Sequence, residues 1–281
     1  MNVFITGGTG YIGSTVVEKL RAAGHRVSGL ARSAGAEEKL SALGAAPVRG
    51  NLRDTGVLAE AARQSDAAIH LAMEFAPDAP QLDRGAIDAV LSGLGDSGRP
   101  LIYTSGIWVA GDTGGKVADE STPLNPIAMV AWRPANEQAV LQAKGVRGIV
   151  IRPGMVYGRG AGFGYELLKP KEDGVVRYAG SGDNRWPWVH VDDLADLYVL
   201  ALSARSGSVY FAATESVSVK RVAAASGTRT EPIPVEQARS QMGMLVDALL
   251  LDQQISSDKA KRELGWKPVR ASVLEEMKGK S

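Results

Sequence analysis

Residues Val3-Phe4-Ile5-Thr6-Gly7-Gly8-Thr9-Gly10-Tyr11-Ile12-Gly13 place a glycine-rich segment directly after an apolar run at the start of this 281-residue chain. Val16, Val17 and Leu20 follow at helical spacing. The pattern predicts a strand, a tight turn and a helix. Glycine suits the turn because it lets the main chain approach a pyrophosphate, which free N–H groups of the helix N-terminus would bind. The segment therefore predicts a dinucleotide-binding βαβ unit, although a tight turn without a ligand would also use these glycines.

The composition is typical of a soluble α/β enzyme. The 32 Lys and Arg residues nearly balance the 31 Asp and Glu residues, so we expect no nucleic acid as a partner. The absence of Cys excludes disulfides and thiol nucleophiles, and no cluster of residues has metal-ligand spacing. Apolar runs are too short for a membrane span, and the immediate first strand leaves no room for a signal peptide. We therefore expect a cytoplasmic protein with a small-molecule substrate and no metal.

Short apolar segments alternate with helical patterns along the first half of the chain. This alternation predicts a parallel sheet with helices on both faces. The expected strands are residues 3–5, 25–30, 47–48, 67–71, 100–103 and 148–151. A helix with an apolar stripe at Leu82, Ala86, Val90 and Leu94 is expected before the fifth of these strands.

Seven ordered segments carry a family resemblance. They are residues 6–13, 50–54 (Gly-Asn-Leu-Arg-Asp), 69–72 (Ile-His-Leu-Ala), 103–106 (Tyr-Thr-Ser-Gly), 152–158 (Arg-Pro-Gly-Met-Val-Tyr-Gly), 189–195 (Val-His-Val-Asp-Asp-Leu-Ala) and 263–268 (Glu-Leu-Gly-Trp-Lys-Pro). With them the chain resembles, over essentially its whole length, the extended or atypical short-chain dehydrogenase/reductases, often called NAD-dependent epimerases/dehydratases. The resemblance implies a Rossmann-type doubly wound parallel sheet, mainly residues 1–158, and a smaller C-terminal substrate-binding lobe, mainly residues 159–281, with segments that return to the core.

The resemblance also implies how a nicotinamide cofactor would lie. The glycine turn would bind the pyrophosphate, and Asn51 and Leu52 would flank the adenine, although the family more often has Asp at position 51. Residues 71–73 would lie under the nicotinamide ribose, and residues 153–155 would meet the nicotinamide ring. The expected contacts are Gly7, Thr9, Gly10, Tyr11, Ile12, Gly13, Arg32, Ser33, Asn51, Leu52, Leu71, Ala72, Met73, Thr104, Arg133, Pro153, Gly154 and Met155.

The end of the second strand decides which cofactor is expected. An NAD-specific site usually has Asp or Glu there, which accepts hydrogen bonds from the ribose hydroxyls. This chain has Arg32 and Ser33, and the first carboxylate is Glu37. Arg32 could pair with a 2′-phosphate, with Ser33 adding a hydroxyl, or it could be a solvated surface residue. We favour phosphate recognition and therefore NADP over NAD.

The catalytic segment departs from the family. Members that reduce or oxidise a carbinol normally use Ser, Tyr and Lys, with the last two spaced Tyr-x-x-x-Lys on one helix. Here Met129 falls at the Tyr position and Arg133 at the Lys position, and Pro134 predicts that the helix kinks or restarts there. Met129 cannot donate a proton, and Arg133 cannot shuttle one, but Arg133 could bind ribose or a substrate oxyanion. Either Ser105 or Gly106 falls at the Ser position.

A Tyr-x-x-x-Lys spacing does occur from Tyr165 to Lys169, but it lies after the sixth strand and is interpreted as a helix surface. Ser105 and Arg133 are therefore the candidate catalytic residues. Candidate substrate contacts are Trp108, Met129, Trp132, Tyr157 and Trp186, and core packing is the alternative for each aromatic residue.

These features predict an NADP(H)-dependent oxidoreductase that reduces a carbonyl or imine of a small organic substrate without the usual Tyr and Lys. A nucleotide-sugar epimerase or dehydratase, and a non-catalytic NADP-binding sensor, remain alternatives. Family members commonly dimerise through the helices after the fourth and fifth strands. The interruption at Pro134 leaves both a monomer and a homodimer open.

Overall fold

The computed structural model describes residues 1–74 and 76–279. Its strands are β1 (Asn2–Thr6), β2 (Arg26–Ala31), β3 (Ala46–Arg49), β4 (Ala67–His70), β5 (Pro100–Thr104), β6 (Val117–Ala118), β7 (Arg147–Pro153), β8 (Met155–Tyr157), β9 (Val175–Ala179), β10 (Arg185–His190), β11 (Ser208–Ala212), β12 (Glu215–Ser218), β13 (Arg229–Ile233) and β14 (Gln254–Ile255).

The helices of the described residues are α1 (Tyr11–Ala22), α2 (Ala34–Ala42), α3 (Thr55–Arg63), α4 (Ala79–Leu94), α5 (Arg133–Leu141), α6 (Phe163–Leu167), α7 (Val191–Ala201), α8 (Val219–Ala225), α9 (Val235–Met242), α10 (Leu245–Leu249), α11 (Asp258–Leu264) and α12 (Val273–Met277). Two short 3₁₀ helices, Ile107–Ala110 and Ala128–Val130, lie between β5 and α5. None of the described helices is long and apolar enough to cross a membrane.

A seven-stranded parallel sheet forms the centre of the molecule. Its strand order is β11-β7-β5-β4-β1-β2-β3. The order of the strands reverses between β1 and β4, and this switch point creates the crevice that ligands use in doubly wound sheets. The α/β, Rossmann-type fold predicted from the sequence is confirmed. Every expected strand overlaps an observed one, with ends displaced by at most a few residues.

Both faces of the sheet are covered by helices because the strand side chains alternate. Val3 and Ile5 of β1 pack against α1 and α7, whereas Phe4 packs against α3 and α4. Helices α3 and α4 approach so closely that a Cβ on Gly93 would lie 2.1 Å from the Ala59 carbonyl oxygen. The expected apolar stripe of α4 lies inside this layer, with Leu82 7% exposed and Ala86 fully buried.

The chain beyond β7 forms a smaller lobe and also returns to the main sheet. In the lobe, β8, β10 and β12 make a three-stranded sheet, and β9 pairs with β13. Trp186, Trp188 and Tyr157 lie in its apolar cluster. Strand β11 completes the edge of the main sheet beside β7, and α7 covers one sheet face.

Candidate functional site

A cleft of about 370 Å³ lies at the carboxyl ends of β1, β2, β3 and β4. It is formed by the residues that immediately follow these four strands, which is where ligands bind in open α/β sheets. The lining residues are Gly7, Thr9, Gly10, Tyr11, Ile12, Gly13, Leu30, Arg32, Gly50, Asn51, Leu52, Leu71, Ala72, Met73 and Glu74. The cleft therefore brings together most of the positions that the sequence predicted as cofactor contacts.

The glycine turn between β1 and α1 forms one wall of the cleft. The Gly10 N–H donates to the Gly7 carbonyl at 2.9 Å, and Gly7 has a φ of 74°. A Cβ on Gly13 would lie 2.0 Å from the Gly7 oxygen, and one on Gly7 would lie 2.7 Å from the Ala72 nitrogen. A side chain at either position would therefore clash with the main chain and displace the turn. No side chain caps the N-terminus of α1, so its N–H groups are oriented to hold an anion such as a pyrophosphate.

The end of β2 contributes an exposed cation, Arg32, to the cleft. Ser33 lies beside it but does not line the cleft, because its hydroxyl accepts a hydrogen bond from the Ala36 N–H and caps α2. Glu37 forms an ion pair with Arg49, with 3.1 Å between Arg49 Nη1 and Glu37 Oε2. Lys39 donates from Nζ to the Thr9 carbonyl at 2.6 Å. Two cations therefore flank the glycine turn on this side.

The floor of the cleft is tied to a buried polar network. The Leu71 and Ala72 N–H groups both donate to Thr6 Oγ1, at 3.3 and 3.2 Å. The Thr6 hydroxyl oxygen also lies 2.6 Å from His70 Nδ1. On the other side of the ring, His70 Nε2 is hydrogen-bonded to Asp83 Oδ1 at 3.1 Å.

Asp83 collects the remaining hydrogen bonds of this network. Tyr103 Oη and Asn136 Nδ2 each donate to its Oδ2 at 2.8 Å. Burial alone would raise the pKa of Asp83, but the hydrogen bonds from His70, Tyr103 and Asn136 together hold that pKa below its ordinary value. An ionised carboxylate thus connects β4, β5 and α5 below the cleft.

Arg133 is the first residue of α5, and its side chain reaches the carboxyl end of β5. Its Nη1 donates to the Thr104 carbonyl at 3.1 Å, and its Nη2 lies 2.7 Å from the Met73 sulfur. The Trp132 ring lies 4.8 Å below the guanidinium carbon. Helix α5 begins here because Pro134 is tolerated only in a first helical turn. The restart predicted at Pro134 is observed, and Met129 lies in the preceding 3₁₀ helix.

Ser105, which follows Thr104, has a buried hydroxyl. Its side chain is 6% exposed, and its Oγ has no hydrogen-bond partner within residues 1–74 and 76–279. The Ser105 N–H donates to the Ile151 carbonyl at 2.9 Å, which fixes the backbone. The Thr104 hydroxyl is paired with Tyr198 Oη at 2.7 Å.

The expected cofactor contacts Pro153, Gly154 and Met155 lie at the junction of β7 and β8, outside the lining of the cleft. Gly154 passes so close to β10 that a Cβ would lie 2.6 Å from the Pro187 oxygen. Among the described residues, no group of His, Cys, Asp and Glu could hold a metal ion.

The sequence model of the NAD dependent epimerase/dehydratase family matches residues 3–213. The chain belongs to this family. The resemblance carried by the seven segments is thereby confirmed. This family member is 36% identical to an uncharacterized protein of Schizosaccharomyces pombe, over 99% of this chain and 98% of that protein.

A ketoreductase of Stigmatella aurantiaca that acts on 4-hydroxy-2-methyl-3-oxo-4-farnesyl-3,4-dihydroquinoline-1-oxide is 29% identical, over 95% of this chain and 92% of its own. Among solved structures, the dTDP-glucose 4,6-dehydratase of Bacillus anthracis in complex with NAD superposes with a TM-score of 0.81. It is 19% identical and covers 99% of this chain and 95% of its own. At that identity the likeness concerns the fold of the family member alone.

Two of the expected substrate contacts are core residues of this family member. Tyr157 is 1% exposed and donates to the Ala271 carbonyl at 2.7 Å, and burial raises the pKa of its phenol. Trp186 is 5% exposed and donates to the Leu249 carbonyl at 3.0 Å. Their polar atoms are satisfied within the lobe, which favours the alternative of core packing for both. Trp108 is half-buried and meets the exposed Phe163 ring edge-on, at 6.2 Å between centroids.

Tyr165 lies in α6, but Lys169 lies two residues beyond the end of this helix, so the two do not share one helix surface. Lys169 stacks on the Tyr165 ring at 4.5 Å and pairs with Glu166. Sequence reasoning missed Leu30, Gly50 and Glu74 in the cleft. The signal was their position along the chain. Leu30 lies at the end of β2, Gly50 directly follows β3, and Glu74 lies in the loop after β4.

Proposed function

We propose that this protein is an NADP(H)-dependent reductase that acts on a carbonyl or imine carbon of a small organic substrate. The observation that carries the proposal is Arg32, an exposed cation that follows β2 and lines the cleft beside the glycine turn. An acidic residue at this position would favour the ribose hydroxyls of NAD. A guanidinium favours the 2′-phosphate of NADP(H) through charge-assisted hydrogen bonds.

The surrounding charges support the same cofactor. Lys39 is held at the glycine turn by its hydrogen bond to Thr9, which adds a second positive charge on the side of Arg32. Glu37, the nearest acidic residue along the chain, is paired with Arg49. Repulsion between this carboxylate and a bound 2′-phosphate is thereby reduced.

The chain offers a fitting cradle for such a cofactor. Side chains at Gly7 and Gly13 would clash with the main chain, and the N-terminus of α1 is free to bind the pyrophosphate. Asn51 and Leu52 would flank the adenine, and Leu71 to Met73 would support the ribose next to the nicotinamide. When bound, the dihydronicotinamide supplies a hydride.

The residues beside β5 would orient the substrate. Arg133 would bind ribose or a substrate oxygen while its cation stabilises negative charge that develops on the reduced group. Met129 stands where the family has its tyrosine and has no proton to donate. We therefore propose that the proton comes from water or from the substrate, with Arg133 and Ser105 holding the substrate in place.

One relative and the residue at position 129 support reduction as the reaction. The relative from Stigmatella aurantiaca is a ketoreductase and aligns over nearly the whole chain. Epimerisation or dehydration of a sugar nucleotide depends in this family on a tyrosine at the position of Met129. A sensor that binds NADP without turnover is the remaining alternative.

A screen of ketones, aldehydes and imines with NADPH deuterated at the hydride position tests the proposal. We expect NADPH consumption with at least one compound and one deuterium on its reduced carbon, measured by mass spectrometry. Conversion of a sugar nucleotide without net cofactor consumption would instead indicate an epimerase or dehydratase. Tight NADPH binding with no transfer to any compound would indicate a sensor.

A further inference from the structure

Arg133 is a buried cation that has no acidic partner among the described residues. Its side chain is 8% exposed. On the same helix, Glu137 is paired with Arg152, with 3.0 Å between Arg152 Nε and Glu137 Oε1. Asp83, on the adjacent helix, is saturated by His70, Tyr103 and Asn136. A buried charge without a counter-charge is costly, so such a group indicates a ligand.

The hydrogen bonds of Arg133 leave most of the N–H donors of its guanidinium group unused. A guanidinium has five N–H donors. One donates to the Thr104 carbonyl, and another faces the Met73 sulfur, which is a weak acceptor. Three donors remain, and neither of the two contacts neutralises the charge. The positive end of α5 adds to this potential, because Arg133 is its first residue and no side chain caps it.

A second unsatisfied group lies beside the first. Ser105 Oγ is buried without a partner among the described residues. Ser105 follows Thr104, and the Thr104 carbonyl is the acceptor of the Arg133 bond. The unused donors of Arg133 and the unused hydroxyl of Ser105 therefore flank the same peptide unit. The three unused donors of Arg133, the Ser105 hydroxyl and one positive charge together match a carboxylate.

The neighbouring surface is aromatic. Trp132 stacks against the guanidinium at 4.8 Å and limits its movement. Trp108, in the 3₁₀ helix after Ser105, is half-buried and packs edge-on against Phe163, which is 48% exposed. An apolar substrate body would find its contacts here.

We propose that Arg133 and Ser105 form an anion site for a substrate that carries a carboxylate on an aromatic or apolar body. The site deepens the proposed function, since it specifies the substrate class of the reductase as keto or imino acids. Arg133 has this role in addition to any contact with ribose, because its three free donors allow both. The replacement of the family's lysine by arginine is thus a specificity device, since the planar fork of arginine matches a carboxylate.

Equilibrium binding of probes that cannot be reduced tests the site without turnover. Phenylacetate and the matched neutral phenylacetamide are titrated into the NADP⁺-saturated protein by calorimetry. We expect the carboxylate to bind at least about tenfold more tightly.

Arg133→Gln should abolish the preference, Arg133→Lys should retain part of it, and Ser105→Ala should reduce it several-fold. Arg84→Gln, which makes the same change at an exposed arginine of α4, should leave the preference intact. Melting temperatures verify that each variant is folded.

Equal binding of both probes to the unmodified protein overturns the anion site, as does a preference that survives Arg133→Gln. Failure of phenylacetate, benzoate and 3-phenylpropionate to bind at all overturns it too. The result is independent of the reductase assay. NADPH oxidation by neutral ketones without any carboxylate preference would retain the reductase and remove the anion site. A carboxylate preference without NADPH oxidation would retain the site and remove the reductase.

Discussion

Asp83 accepts hydrogen bonds from His70, Tyr103 and Asn136, and its charge therefore contributes to the stability of the cleft floor. In Asp83→Asn, the new amide N–H₂ group is itself a donor and would face the donors of the network. At least one of those donors would lose its acceptor. We expect a loss of about 1–3 kcal/mol in the free energy of unfolding at pH 7, measured by urea denaturation. Asp88→Asn, at an exposed ion pair on the same helix, should cost less than about 1 kcal/mol.

The loss at Asp83 should depend on pH. The hydrogen bonds hold its folded-state pKa below its ordinary value despite the opposing effect of burial. The carboxylate therefore contributes stability above the unfolded-state pKa of about 4, and this contribution is lost as the pH falls through the lower folded-state pKa. The difference between the unmodified protein and Asp83→Asn should shrink below about pH 4. A difference that stays constant with pH would contradict an ionised Asp83.

Catalysis should depend on Arg133 more than on any single tyrosine. A positioned tyrosine acid contributes roughly 10²–10⁴-fold to a rate. The sequence predicts Met129 at the family's tyrosine position, and the Tyr157 hydroxyl is bound to a lobe carbonyl. We expect Tyr157→Phe and Tyr165→Phe to lower kcat less than Arg133→Ala, measured by steady-state kinetics on a reducible substrate. A thousand-fold loss in one tyrosine variant with near-normal Arg133→Ala would contradict the account.

At the scale of elements, the turn between β1 and α1 leaves no room for a side chain at Gly13. A Cβ on Gly13 would lie 2.0 Å from the Gly7 oxygen, so Gly13→Ala must displace the turn. We expect this variant to lose at least about tenfold in NADPH affinity, measured by fluorescence titration, because the anion-binding N–H groups would move. Gly35→Ala is the matched control. Gly35 lies in α2 with open space around its Cα, and this change should preserve NADPH affinity and raise stability slightly. Unchanged affinity in Gly13→Ala would contradict the role of the turn.

Elements with a local signal could be predicted from the sequence. The glycine turn and the restart of α5 at Pro134 depend on residues adjacent in the chain. The positions of Tyr157 and Trp186 could not be predicted in this way. Both have carbonyl partners more than sixty residues away, so only the folded lobe shows that their polar atoms are satisfied. The Asp83 network was missed for the same reason, since β4, α4, β5 and α5 each supply one part.

At the scale of the whole molecule, we expect a monomer. The apolar stripe of α4 is turned inward, and its outer face carries the exposed Arg84–Asp88 ion pair. A stable dimer interface normally has a more apolar centre than such a surface offers. Light scattering at micromolar concentration should give the mass of one chain. Twice that mass would show that the twofold association common in the family persists despite this polar face.

The central claim is that Arg32 selects NADP(H), and calorimetric titration of NADPH and NADH into the unmodified protein and Arg32→Ala tests it most directly. We expect NADPH to bind the unmodified protein more tightly. Arg32→Ala should cost about 1–3 kcal/mol for NADPH, because one charge-assisted contact to the 2′-phosphate is lost, and little for NADH. Equal affinities of the unmodified protein for the two cofactors, or equal losses for both in Arg32→Ala, would contradict the claim.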